Sequence, residues 1–97
     1  MHSEIPTDYE TYREIMHDLM HPIAAEDLDL ETHKRLYESK LVYLESLRTK
    51  CFQEMNKKNP GFFQMTDYEL ILGAIRETNS HLRRIIITAL TCSLKSR

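Results

Sequence analysis

Apolar residues recur along this chain at spacings of three and four, in three separated runs, and that period belongs to amphipathic helices. In the first run Tyr9, Tyr12, Ile15, Met16, Leu19 and Met20 form one stripe, which stops short of Pro22. The proline ring disfavours helical geometry at His21. The run is preceded by Thr7-Asp8-Tyr9-Glu10, the pattern of a capping box. In such a box the threonine hydroxyl accepts from the amide three residues on, and the glutamate reaches back. A first helix is therefore expected over residues 8–21.

In the second run Leu30, Tyr37, Leu44 and Cys51 repeat every seven residues, flanked by Leu36, Leu41, Tyr43, Leu47, Phe52 and Met55. This predicts a long helix over 29–57, closed by Asn59-Pro60-Gly61 and carrying Glu31–Arg35 and Glu54–Lys58 as i,i+4 pairs on its wet face. Residues 23–28 form a short acidic connector before it.

The third run follows Phe62-Phe63-Gln64-Met65 and a second box, Thr66-Asp67-Tyr68-Glu69, with Met65 and Leu70 placed as a hydrophobic staple. Tyr68, Ile71, Leu72, Ile75, Leu82, Ile85, Ile86, Ala89 and Leu90 then keep one stripe, predicting a helix over 67–94. The polar triplet Thr78-Asn79-Ser80 interrupts it and marks a place for a break. The β-branched stretch 84–94 is not read as a strand, because no other segment alternates with period two to pair with it. The two Thr-Asp-Tyr-Glu tetrapeptides are convergent helix starts, since the residues after them do not match.

Length arithmetic turns three helices into a shape. The second helix would be roughly 43 Å long at 1.5 Å per residue, and the third nearly as long. A compact globule of this size is only about 32 Å across. The expected fold is all-α: an elongated antiparallel helical hairpin with a short N-terminal helix, completing a bundle or coiled coil by association. The first helix, roughly 21 Å long, covers half the hairpin. The short connector is expected to send it back along residues 29–43, beside the end of the third helix.

That leaves the distal half of the hairpin, near its turn, without cover. Leu47, Cys51, Phe52, Met55, Phe62, Phe63, Met65, Tyr68, Ile71, Leu72 and Ile75 line it and form the candidate partner-binding surface. An apolar patch of that extent ordinarily marks an interface.

Composition narrows the function classes. Ninety-seven residues make one domain, and a chain of this size removes only about 60 to 65% of its unfolded surface from water. Cys51 and Cys92 are its only cysteines and lie in no metal or redox spacing. They fit free, buried thiols of a reducing compartment. Residues 1–6 lack the basic and apolar character of a secretory signal, and no stretch reaches the roughly 18 apolar residues of a membrane span. An intracellular location, cytoplasmic or nuclear, is expected, with no membrane partner.

The net charge of −2 conceals a division. Residues 1–33 hold nine acids against Arg13, so the first third carries −8 and the remainder +6. An acidic segment packed beside a basic one, in the same molecule or its twin, accounts for this.

Candidate chemistry is sparse. Glu14, His17 and His21 fall on one face of the first helix at i, i+3 and i+7. Closed zinc sites want four ligands, and di-metal bundles want two Glu-x-x-His pairs. One set falls short of either, so no metal and no cofactor is expected. No nucleophile elbow, phosphate loop or Walker lysine is present, and the thiols sit on apolar stripes where thiolate formation is opposed. The chain is read as non-enzymatic.

Its expected role is a protein–protein interaction module, a small adaptor or assembly subunit that homodimerises or docks with a helical partner. The alternative is a nucleic-acid-associated protein using the basic C-terminal helix, where His81, Arg83, Arg84, Lys95 and Arg97 cluster.

Overall fold

The structure is a computed structural model that describes residues 5–23, 29–57, 61 and 63–95. All regular structure among them is helical: α1 Tyr9–Met20, α2 Leu30–Met55 and α3 Met65–Lys95. Phe62, the connector 24–28, Lys58 with its expected pairing to Glu54, and the Asn59-Pro60 stop lie outside the described residues.

The first two helices start on an aspartate. At α1 the N-cap is Asp8 rather than Thr7, with extended backbone and its Oδ1 accepting from the Thr11 amide at 2.8 Å. Its Oδ2 accepts from the Thr11 hydroxyl, also at 2.8 Å. A carboxylate prevails over the neighbouring hydroxyl because it offers two acceptors and its charge complements the helix dipole. Asp29 caps α2 in the same way, accepting from the Thr32 amide at 2.7 Å.

The start of α3 corrects the expectation at Thr66. The helix begins two residues earlier than predicted, and Asp67 reaches back to accept from the Gln64 amide at 2.8 Å. Thr66 sits exposed in the first turn. The polar triplet Thr78-Asn79-Ser80, where the sequence leaves room for a break, lies inside one continuous helix. Thr78 is buried, and its hydroxyl donates to the Ala74 carbonyl of its own helix at 2.8 Å, so its polarity is satisfied without opening a turn. At the end of α2 the Asn56 side chain donates to the Phe52 carbonyl at 2.9 Å, and Glu54 pairs with Lys50 and Lys57, each at 2.9 Å.

α2 and α3 pack against each other as the antiparallel hairpin, and the molecule measures 59 × 21 × 17 Å. Leu44, Leu47 and Cys51 of α2 meet Ile71 and Ile75 of α3 near the turn, while Tyr37 meets Leu82 and Ile85 at the other end.

α1 lies elsewhere than its short connector suggests. Tyr12, Ile15 and Met16 are buried with Leu44, Leu47, Cys51, Phe63, Ile71 and Ile75, which places α1 over the half of the hairpin nearer its turn. Its C-terminal end reaches only the level of Tyr37 and Lys40: the Ile23 amide donates to the Tyr37 hydroxyl at 3.2 Å and Lys40 Nζ to the His21 carbonyl at 3.3 Å. From Tyr37 back to Asp29 is roughly 12 Å of helix, and the six residues from Ile23 to Asp29 can span up to about 20 Å. The connector is long enough to let α1 slide towards the largest apolar side chains.

Candidate interaction surface

Of the eleven residues predicted to bind a partner, the ten that are described divide into two groups. Leu47, Cys51 and Ile71 are wholly buried, and Phe63 and Ile75 nearly so, all beneath α1. They form the chain's own core. The premise that the distal half lacks cover is therefore corrected, because α1 supplies that layer.

The remaining described members stay at the surface. Phe52 and Met65 are exposed, and Met55, Tyr68 and Leu72 are half-buried. Successive helical residues are turned by 100°, which puts Phe52 and Met55 on the opposite side of α2's core stripe from Tyr43. Tyr43 is buried in the cluster that includes the α1 residues. Phe52 and Tyr68 meet across the hairpin with ring centroids 6.2 Å apart. They form a modest apolar strip on the hairpin face turned away from α1.

A larger apolar surface lies where the sequence reading did not place one. Leu30, the first residue of α2, packs against the Tyr37, Leu82 and Ile85 cluster. Among the described residues no helix covers α3 beyond Ile85, and residues 86–92 and 94 are all exposed. Ten residues from Ile86 to Lys95 project roughly 15 Å past the hairpin. Ile86, Ile87, Leu90 and Leu94 form one stripe along this projection, 43, 62, 60 and 70% exposed. Arg83 and Arg84 are exposed at its base. The signal that reveals this surface in the sequence is Ile85-Ile86-Ile87: consecutive residues point 100° apart, so three isoleucines in a row exceed what one buried face requires.

A groove runs between α1 and the first turns of α3. Glu10, Glu14, Asp18 and Asp67 line it together with Arg13, and Tyr9, Met20 and Leu70 expose apolar surface along it.

Reactive arrangements are few. The rings of His17 and His21 stand edge to face with centroids 4.7 Å apart, while Glu14 is exposed. Among the described residues no three His, Cys, Asp or Glu side chains gather as a metal site. The Cys51 thiol is buried 3.7 Å from Met55 Sδ, and burial, with the Asp67 carboxylate adding to it, pushes its pKa up to about 11. Cys92, expected to be buried, is exposed because it lies on the projecting end of α3.

Tyr37 carries the opposite end of the hairpin. Its ring stacks on His81 at 5.1 Å, takes His33 edge-on at 5.0 Å and lies 5.6 Å from Lys40 Nζ. Burial lowers the Lys40 pKa, partly opposed by Glu77. The stack on His81 joins α2 to α3, while the Tyr37 hydroxyl and Lys40 Nζ hold the chain at the end of α1 through Ile23 and His21.

Among the described residues no helix is long and apolar enough to cross a membrane. No protein-family model, curated protein or solved structure matches the chain.

Proposed function

We propose that this chain is a non-catalytic protein–protein interaction module, a small helical adaptor or assembly subunit that binds a second helical surface. The observation that carries this reading is the projection of α3 beyond α2, which leaves Ile86, Ile87, Leu90 and Leu94 in water on one stripe. Burying each such side chain contributes about 1.5 to 3 kcal/mol. Four of them supply enough to offset part of the entropy lost on association. The strip around Phe52, Met55, Met65, Tyr68 and Leu72 offers a second, shallower contact on the same hairpin.

The nucleic-acid reading draws support from the exposure of Arg83 and Arg84 on a helix that carries only cations after Glu77. It is the weaker of the two, because the largest exposed side chains beyond those cations, Ile86, Ile87, Leu90 and Leu94, are aliphatic and cannot hydrogen-bond to base edges.

Chemical crosslinking in extracts of the native cell tests the module. A stoichiometric complex is expected, homomeric or heteromeric, that disappears with Ile87→Asp plus Leu90→Asp or with Phe52→Asp plus Leu72→Asp. An uncomplexed chain, or a complex indifferent to both pairs, overturns the reading. A complex that contains nucleic acid and dissolves steeply with added salt transfers the conclusion to the rival.

A further inference from the structure

The two apolar patches that the fold leaves at the surface share one line of α3. Leu72, half-buried in the patch near the turn, and Leu90, exposed on the projecting end, are eighteen residues apart. That spacing is about five whole turns, so the two side chains leave the helix in the same direction. Tyr68, Ile86 and Leu94 leave within about 40° of it. Leu70 and Ala74, which line a cavity with Leu19 and Met20 of α1, are turned from that direction by about 160°. The shared line therefore faces away from α1, and it runs roughly 40 Å from Tyr68 to Leu94. Between the patches it carries Arg76, Asn79 and Arg83, all exposed.

We infer that a second copy of this chain covers this face, its α3 lying antiparallel on the first, so that the projecting end of each copy seats on the turn-end patch of the other. The inference rests on the interaction-module reading and names the partner, the face and the register. Placing Leu90 over the partner's Leu72 puts a two-fold axis level with residue 81. The same register sets Leu94 over the partner's Tyr68, and within each chain that ring meets Phe52 at 6.2 Å. It also lays Ile86 along the aliphatic stem of the partner's Arg76. Because end and seat lie on one face, both seats fill at once and the assembly closes as a dimer.

Charge selects this register over its neighbours. Arg83 lies over the partner's Asn79, whereas a slip of four residues one way stacks Arg83 on its own copy, and a slip of three the other way stacks Arg76 on Arg83. Like charges directly opposed across an interface cost free energy. Glu38 and Glu45 of α2, both exposed, leave their helix within about 40° of Phe52 and so flank the cationic middle of the interface. Among the described residues none of these four charged side chains has an ion pair within its own chain.

The area is also adequate. A face about 40 Å long and two helices, or about 18 Å, wide offers roughly 700 Å² per protomer, near the ~800 Å² that each partner gives to a specific interface of standard size.

Cysteine pairs test face and register in the full chain, with Cys92→Ser removing the exposed native thiol. One preparation carries Leu72→Cys and the other Leu90→Cys, copper phenanthroline supplies the oxidation, and circular dichroism verifies that helix content is kept. The mixture should give a disulfide-linked dimer joining position 72 of one chain to position 90 of the other. Its yield should exceed that of either preparation alone by roughly tenfold or more, because equivalent positions lie roughly 27 Å apart along the axis. Arg76→Cys mixed with Ile86→Cys, both at exposed positions, repeats the test one turn nearer the two-fold. Native mass spectrometry should show the unaltered chain as a dimer.

A monomeric unaltered chain, or mixtures of both pairs that crosslink no better than their components, overturns the inference. If native extracts then still yield a heteromeric complex that is lost with Phe52→Asp plus Leu72→Asp, the second copy is excluded and the module reading stands. The absence of any complex removes both.

Discussion

Tyr12 and Phe63 meet edge to face, with ring centroids 5.2 Å apart and planes inclined at 76°. This contact joins α1 to the segment that opens α3 and fixes which half of the hairpin α1 covers. Both side chains are buried, so Phe63→Ala is expected to cost about 3 to 5 kcal/mol. A double-mutant cycle with Tyr12→Leu should return a coupling of about 0.5 to 1.5 kcal/mol for the aromatic pair. Denaturant titration measures both. An additive cycle would mean that α1 is not seated on Phe63.

The aspartate caps make a prediction about acid. Hydrogen bonds from Thr11 hold the Asp8 carboxyl below its ordinary value, and those from Thr32 do the same for Asp29. A depressed carboxyl contributes stability that is present above the ordinary value of 3.8 and lost as pH falls through the lower folded value. Asp8→Asn with Asp29→Asn keeps an acceptor at each cap and removes the titration. The double variant should therefore show a flatter loss of stability below pH 4 than the unaltered chain, read from thermal midpoints. Thr7→Ala should leave the midpoint unchanged, because the Thr7 hydroxyl does not cap the helix.

The two thiols should behave as opposites. Cys92 is exposed and Cys51 is buried with its pKa pushed up to about 11, so a thiol reagent at pH 8 should label one site rapidly in the folded chain and the second only on unfolding. A thiol whose folded pKa exceeds the ordinary 9.0 contributes stability that is whole below pH 9 and lost as pH rises towards 11. Cys51→Ala should remove that part of the alkaline transition. Equal labelling rates for both cysteines in the native chain would place Cys51 outside the core.

Gly73 offers a gain. It lies within α3, is exposed, and a Cβ built on it would meet nothing within 4 Å. Gly73→Ala should raise stability by about 0.8 to 1 kcal/mol through helix propensity alone. No gain in denaturation midpoint would show that something occupies the space beside it.

Much of the architecture was legible in the pattern of apolar residues. The three stripes yielded three helices, and their lengths required an elongated hairpin. The cap residues were misassigned because the threonine of Thr-Asp-Tyr-Glu satisfies the capping-box pattern. The repeated Asp-x-Glu-Thr of residues 8–11 and 29–32 shows the actual device, an aspartate followed three residues later by a threonine whose amide it accepts from. The position of α1 was not legible, because periodicity fixes which face of a helix is apolar and not how far it slides along a neighbour. That slide buried Leu47, Cys51, Phe63, Ile71 and Ile75 of the candidate surface. It also leaves the uncovered apolar surface at the end of α3, where the predicted stripe takes in Ile85 and Ile86 but not Ile87.

The central claim is that another polypeptide, in the simplest case a second copy of this chain, covers the apolar stripe at the projecting end of α3. Sedimentation equilibrium of the purified chain at about 100 µM, at physiological ionic strength, tests it most directly when run beside Ile87→Asp plus Leu90→Asp. The unaltered chain is predicted to sediment at twice the single-chain mass of 11.5 kDa, and the variant at the single-chain mass with unchanged helical circular dichroism. Two chains that both sediment as dimers would contradict the account, and so would two monomers when crosslinking in native extracts also yields no complex.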